Sequence, residues 1–179
     1  AWYIKGGIYQ IPKALEKLAN EFGVNFRLET EVEEILINDK KAQGVKLKDG
    51  EILESDFVIT NADAVETYRH LIDEKARKIY TNKKLEKLEP SCSGFVLLLG
   101  TNKKLDQLAH HNIFFSDDYK AEFEAIFETK TLAENPTIYI CATSRTDETQ
   151  APQNGENLFI LINAPYTNEK VDWKKIKES

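Results

Sequence analysis

Three histidines, two cysteines and a few paired carboxylates carry most of the chemistry available to this 179-residue sequence. His110 and His111 are adjacent. An imidazole pair can ligate a metal or pass a proton, but neighbours on a strand point to opposite faces and no third ligand stands at a recognisable spacing. The pattern therefore leads us to expect no metal site. His70 falls after Asn61-Ala62-Asp63, in a helical stretch, and reads as a surface or partly buried helix residue rather than a base. Cys92 lies between Ser91 and Ser93 with nothing that marks a nucleophile; it and Cys141 read as reduced, mostly buried thiols. Asp117-Asp118 reads as a helix cap and Asp147-Glu148 as a solvated loop. No HExxH, Walker, EF-hand or nucleophile-elbow motif occurs, and no catalytic residue is assigned.

Aromatic residues make a second pattern: Trp2, Tyr3, Tyr9, Phe95, Phe114, Phe115, Tyr139 and Phe159. Most fall on predicted strands and read as core. A sheet facing a long apolar ligand would show the same pattern, because a hydrocarbon needs an apolar wall more than polar contacts. The formal net charge of -6 argues against a broad nucleic-acid surface, which needs concentrated Lys and Arg. The longest apolar runs, Phe95-Val96-Leu97-Leu98-Leu99 and Leu158-Phe159-Ile160-Leu161-Ile162, are strand-sized and too short for a membrane span. Few cysteines and no targeting segment suggest a cytoplasmic protein. The sequence opens on Trp2-Tyr3-Ile4 without Met and stops in a helical pattern, so it reads as an internal piece of a longer chain.

These residues must be positioned by a mixture of helices and strands. Ile11, Leu15, Leu18 and Phe22 recur at helical spacing, with Pro12 in the first turn and Gly23 at the stop. Val24, Phe26 and Leu28 alternate as on a strand, and Val32, Ile35 and Ile37 suit a strand or a short helical turn. Turns are expected at Asn38-Asp39-Lys40-Lys41 and Asp49-Gly50. Phe57-Val58-Ile59 reads as a short strand buried on both faces. Asn61 or Asp63 caps a helix carrying Val65, Tyr68, Leu71 and Ile72. Ser93–Gly100 suggests a central strand, followed by strands at 113–115, 137–142 and 158–164 and a helix after Asp117-Asp118. The implied class is α+β with a largely antiparallel sheet.

The run from Trp2 to Leu15 around Gly6-Gly7 resembles the Gly-Gly segment of the phytoene desaturase family, within the flavin amine oxidase group. Phe22-Gly23-Val24-Asn25, the stretch from Glu31 to Ile35, the stretch from Gly44 to Gly50 and the stretch from Asp56 to Asp63 follow in the same order. Ser91–Phe95, His111–Tyr119, Glu124–Phe127, Asn135–Tyr139, Ala151-Pro152 and Val171-Asp172-Trp173 narrow the resemblance to the diapophytoene desaturases and diapolycopene oxidases acting on C30 carotenoids.

The resemblance implies an FAD-dependent oxidoreductase, a flavoprotein of carotenoid biosynthesis. Residues 1–63 would belong partly to a discontinuous FAD-binding domain and residues 64–179 to the substrate domain. Val32, Ala62 and Asp63 match positions beside FAD. Tyr3, Gly6, Gly7, Phe95, Phe115 and Tyr139 are substrate-side candidates. The glycine-rich pyrophosphate turn of the family is absent from this sequence, so this piece alone is expected to bind little FAD and to be inactive. Its partners would be a long polyene such as diapophytoene or phytoene and the remaining parts of the same chain, with peripheral contact at the inner face of the membrane. Two alternatives stand beside this reading: a carotenoid isomerase-like flavoprotein and a non-catalytic hydrophobic-ligand domain.

Overall fold

The computed structural model describes residues 2–168 and 170–173. The chain gathers into two compact units, one of residues 24–89 and the other of residues up to 23 together with those from 90 onward.

In the unit of residues 24–89, β1 (Val32–Asn38), β2 (Lys41–Leu47) and β3 (Ile52–Glu54) form an antiparallel meander. Asp39 and Lys40 both have positive φ (47° and 66°), the backbone twist that closes a two-residue hairpin between right-twisted strands. Ile35 and Leu47 supply the buried side chains of this sheet. Gly44 has φ 141°, and a Cβ there would stand 2.1 Å from the carbonyl oxygen of Leu53. The β2–β3 ladder therefore requires glycine at this point. Asp63 caps α2 (Ala64–Glu66) by accepting from the Glu66 N–H at 3.0 Å. The helix then widens into a π-turn over Thr67–Leu71. His70 is exposed and lies 3.2 Å from the Glu66 carboxylate, the surface one of the two settings its sequence allows. A short α3 (Asn82–Leu85) buries Leu85.

Two expectations fail in this unit. Residues 24–28 form no strand, and neither do Phe57-Val58-Ile59. Phe57 is 86% and Ile59 94% exposed. A strand exists only with a ladder partner, and among the described residues none pairs with this segment.

The other unit starts with a Gly6-Gly7 turn and α1 (Gln10–Glu21). The apolar stripe of α1 is present, but Leu15 and Phe22 remain exposed. The sheet of this unit comprises β4 (Ser93–Thr101), β5 (His111–Phe114), β6 (Ile138–Cys141) and β7 (Glu156–Ala164) in the order β4-β7-β6-β5, with every neighbouring pair antiparallel. The apolar run in β4 suggests a central strand; in the structure β4 lies at the sheet edge, and Leu98 is exposed. Hydrophobic character marks a strand without saying how many neighbours it has.

Asp118 caps α4 (Tyr119–Glu124) by accepting from the Ala121 N–H at 2.9 Å. A π-turn over Ala125–Thr129 follows. Ile126, Ala142, Leu158 and Ala164 are buried. Glu122 is only 1% exposed and accepts from the Thr137 hydroxyl at 2.6 Å, while Thr137 receives the Ser116 N–H at 3.2 Å. The reading of the aromatics as core fails for Trp2, Tyr9, Phe114, Phe115 and Phe159, which are exposed. Both cysteines are free as expected, but Cys92 is exposed rather than buried.

Candidate functional site

The Gly6-Gly7 turn is held by the Gly7 N–H donating to the Ile4 carbonyl at 2.9 Å, and both glycines have positive φ (86° and 88°). Asp147 then fixes it from a distant part of the chain by accepting the Gly6 N–H at 2.9 Å. The same carboxylate caps the short 3₁₀ turn Glu148–Gln150, receiving the Thr149 N–H at 3.1 Å and its hydroxyl at 2.6 Å. The Thr149 hydroxyl and the Gly6 N–H hold the Asp147 carboxyl below its ordinary range, because hydrogen bonds to the charged form favour it. The sequence reads Asp147 as a solvated loop residue; in the structure it is only 7% exposed. A lone Asp in a polar loop carries no local sign of a partner lying more than a hundred residues away.

This turn borders a cleft of about 710 Å³ whose walls include Tyr3, Gly7, His110, His111, Thr146 and Asn157. The ring of Tyr3 meets His110 edge-on, with centroids 5.2 Å apart. Burial, then the Asp147 carboxylate, pushes the Tyr3 hydroxyl upward in pKa. The Tyr139 hydroxyl lies 2.8 Å from Nδ1 of His111 and is pushed up to about 12, chiefly by burial and then by Cys141. It stays a neutral phenol across the physiological range.

The two histidines do not point apart. Their ring centroids are 4.4 Å from each other. His110 precedes β5, so strand alternation does not govern its side chain. Nδ1 of His110 lies 2.6 Å from the Thr146 hydroxyl. Burial and then the neighbouring His111 lower the pKa of His110, which favours the neutral imidazole. Cys141 is the register partner of His111 across the β5–β6 ladder.

Of the substrate-side candidates, Tyr3 and Gly7 line the cleft, Gly6 anchors its turn and Tyr139 braces its His111 wall. Phe95 and Phe115 are not among the cleft residues: Phe95 pairs with Ile162 in the β4–β7 ladder, and Phe115 meets Tyr119 edge-on. Val32, Ala62 and Asp63 belong to the other unit. There Val32 opens β1 opposite Leu47, and the Ala62 N–H donates to the Thr60 hydroxyl at 3.4 Å. The Asp63 carboxylate is committed to its own helix cap. The sequence missed Asp147, Thr146 and the grouping of Cys141 with the histidines, all of which depend on sheet register and loop closure.

No protein-family model matches the chain. Individual relatives do. The chain is 42% identical over 173 residues to the zeta-carotene-forming phytoene desaturase of Myxococcus xanthus, covering 97% of this chain and 33% of that protein. It is 43% identical over 165 residues to 4,4'-diapolycopene oxygenase of a Methylomonas species, covering 92% and 33%. Identity to 4,4'-diaponeurosporene oxygenase of Staphylococcus aureus is 38% over 169 residues, covering 94% and 34%. The chain thus spans about a third of the length of these relatives. An oxidoreductase from Methanosarcina mazei shares the fold, with a TM-score of 0.64 and 21% identity, covering 97% of this chain and 36% of that one.

Proposed function

We propose that this chain, a homologue of carotenoid desaturases and oxygenases over nearly all of its length, serves as part of an FAD-dependent oxidoreductase acting on a long polyene such as diapophytoene or phytoene. The observation that carries this reading is the similarity, over 92–97% of the chain, to relatives named for three different carotenoid reactions. Substrates common to those names are long hydrocarbons, which are recognised by apolar walls and shape.

In this reading residues 1–63 contribute partly to the flavin side and residues 64–179 to the substrate side. Tyr3, Gly6, Gly7 and Tyr139 shape one end of a polyene passage, and the exposed apolar residues of β4 and α1 extend its walls or meet further parts of the polypeptide. Phe95 and Phe115 take supporting positions. Val32, Ala62 and Asp63 lie on the flavin side without binding it by themselves, so the redox chemistry belongs to the cofactor as held by the whole protein. No helix among the described residues is long and apolar enough to cross a membrane. We place the protein in the cytoplasm, meeting its lipid-soluble substrate at the inner membrane face.

The test is turnover by the complete polypeptide that carries this chain. It is purified with FAD and supplied separately with diapophytoene, diapolycopene and phytoene. Desaturation lengthens the conjugated system and shifts absorbance to longer wavelength, whereas terminal oxygenation adds oxygen detectable by mass. A purely geometric change would favour an isomerase. No conversion of any of the three would sink the carotenoid assignment.

A further inference from the structure

His110, His111 and Cys141 offer one ligand atom each, and these atoms all lie within 4.8 Å of one another. We propose that the three side chains form a binding site for a zinc-class divalent cation, facing the cleft beside the Gly6-Gly7 turn.

Two elements build the site. The β5–β6 ladder sets Cys141 directly across from His111, and the His110 carbonyl accepts the Ala142 N–H at 2.8 Å, which pins the residue before β5 to the end of β6. A thiolate with two imidazoles is the donor set of a borderline-soft ion; magnesium and calcium prefer oxygen. Bond lengths of about 2.0–2.3 Å place ligands of a tetrahedral zinc roughly 3.3–3.8 Å apart. Closing the present group needs a shift of about 1 Å.

The surroundings also suit a ligand role. Each ring has one nitrogen engaged by a hydroxyl, His110 by Thr146 at 2.6 Å and His111 by Tyr139 at 2.8 Å. Such partners orient a ligating imidazole and select the tautomer that leaves its second nitrogen available. Both histidines line the cleft. Three protein ligands with an open side are the arrangement of a zinc that keeps a position for water or another small ligand, rather than of a closed structural site.

The test uses the complete polypeptide, stripped with a chelator and titrated with Co²⁺ alone, read as a difference spectrum against the metal-free protein. One equivalent should give a thiolate-to-cobalt band in the near ultraviolet with tetrahedral visible bands, and Zn²⁺ should displace it. Cys141→Ser should abolish the thiolate band. His111→Ala should weaken Co²⁺ binding at least about 100-fold, and Tyr139→Phe about 10- to 100-fold by releasing its hold on the ring. Circular dichroism checks the fold of each variant; should Cys141→Ser unfold, His111→Ala at its exposed position decides the matter. No thiolate band in the parent protein, or a band of unchanged affinity in His111→Ala, would overturn the site. The readout is independent of polyene turnover, so its failure and that of the proposed function are separate results.

Discussion

Asp147 accepts the backbone N–H of Gly6 at 2.9 Å across 141 residues of sequence. This one carboxylate joins the Gly6-Gly7 turn to the loop that carries the cleft residues Thr146 and Gln150. It also caps its own 3₁₀ turn through Thr149, so its loss would loosen two segments together.

The carboxyl of Asp147 is depressed by the Thr149 hydroxyl and the Gly6 N–H, and its contribution has a definite pH sign. A carboxyl with a lower pKa folded than unfolded stabilises the fold above the unfolded value, about 3.9 for Asp. That contribution disappears as pH falls through the folded value. Asp147→Asn should therefore lower the melting temperature at pH 7 and flatten the acid side of the stability profile. Melting curves between pH 2 and 7 check this, and a variant curve parallel to the parent's would contradict it.

Gly44→Ala should be severe. Its Cβ would meet the Leu53 carbonyl at 2.1 Å, in a backbone conformation of φ 141°. Forcing the β2–β3 ladder apart should cost roughly 3 kcal/mol or more. Urea denaturation reads the loss as a lower midpoint.

Gly7→Val should act through conformation rather than crowding. Gly7 has φ 88°, yet an added Cβ would meet only Oε1 of Gln150, at 3.6 Å. The strain of a β-branched residue in the left-handed region is about 1–2 kcal/mol or somewhat more. The turn should shift and polyene turnover should fall with it. Unchanged stability and turnover in the complete protein would remove the turn from the substrate path.

Glu156→Ala should destabilise the sheet unit. Glu156 is 2% exposed and pairs with Nε of Arg145 at 2.9 Å, while another Arg145 nitrogen donates to the Leu105 carbonyl. Removing Glu156 leaves Arg145 only the exposed Asp106 carboxylate, 3.5 Å away, at a cost of about 2–4 kcal/mol; that second partner and the partial exposure of Arg145 keep the figure below that of a fully buried pair. A double-mutant cycle with Arg145→Met should recover part of the loss, since the weakly compensated cation is then gone too.

Local features were legible from residue types. Asp63 and Asp118 sit three residues before the N–H groups they cap, and the hairpin at Asp39-Lys40 closes over residues adjacent in sequence. Short-range hydrogen bonding and side-chain periodicity decide such elements, so helix α1 and strands β5, β6 and β7 could be placed to within a few residues. The ordered motifs also carried the family resemblance, which the named relatives support.

Other features belong to the tertiary structure alone. Phe57-Val58-Ile59 has the composition of a buried strand, but composition supplies no ladder partner, and the segment stands exposed. β4 has the apolar run of a central strand and lies at the edge. Cys141 comes to face His111 only because β5 and β6 pair in one register; a slip of one residue would send its thiol to the other face. Residue types determined which atoms this chain can offer to a ligand. Which of them meet was decided by strand register and loop closure, because contacts between distant segments depend on how the whole sheet assembles.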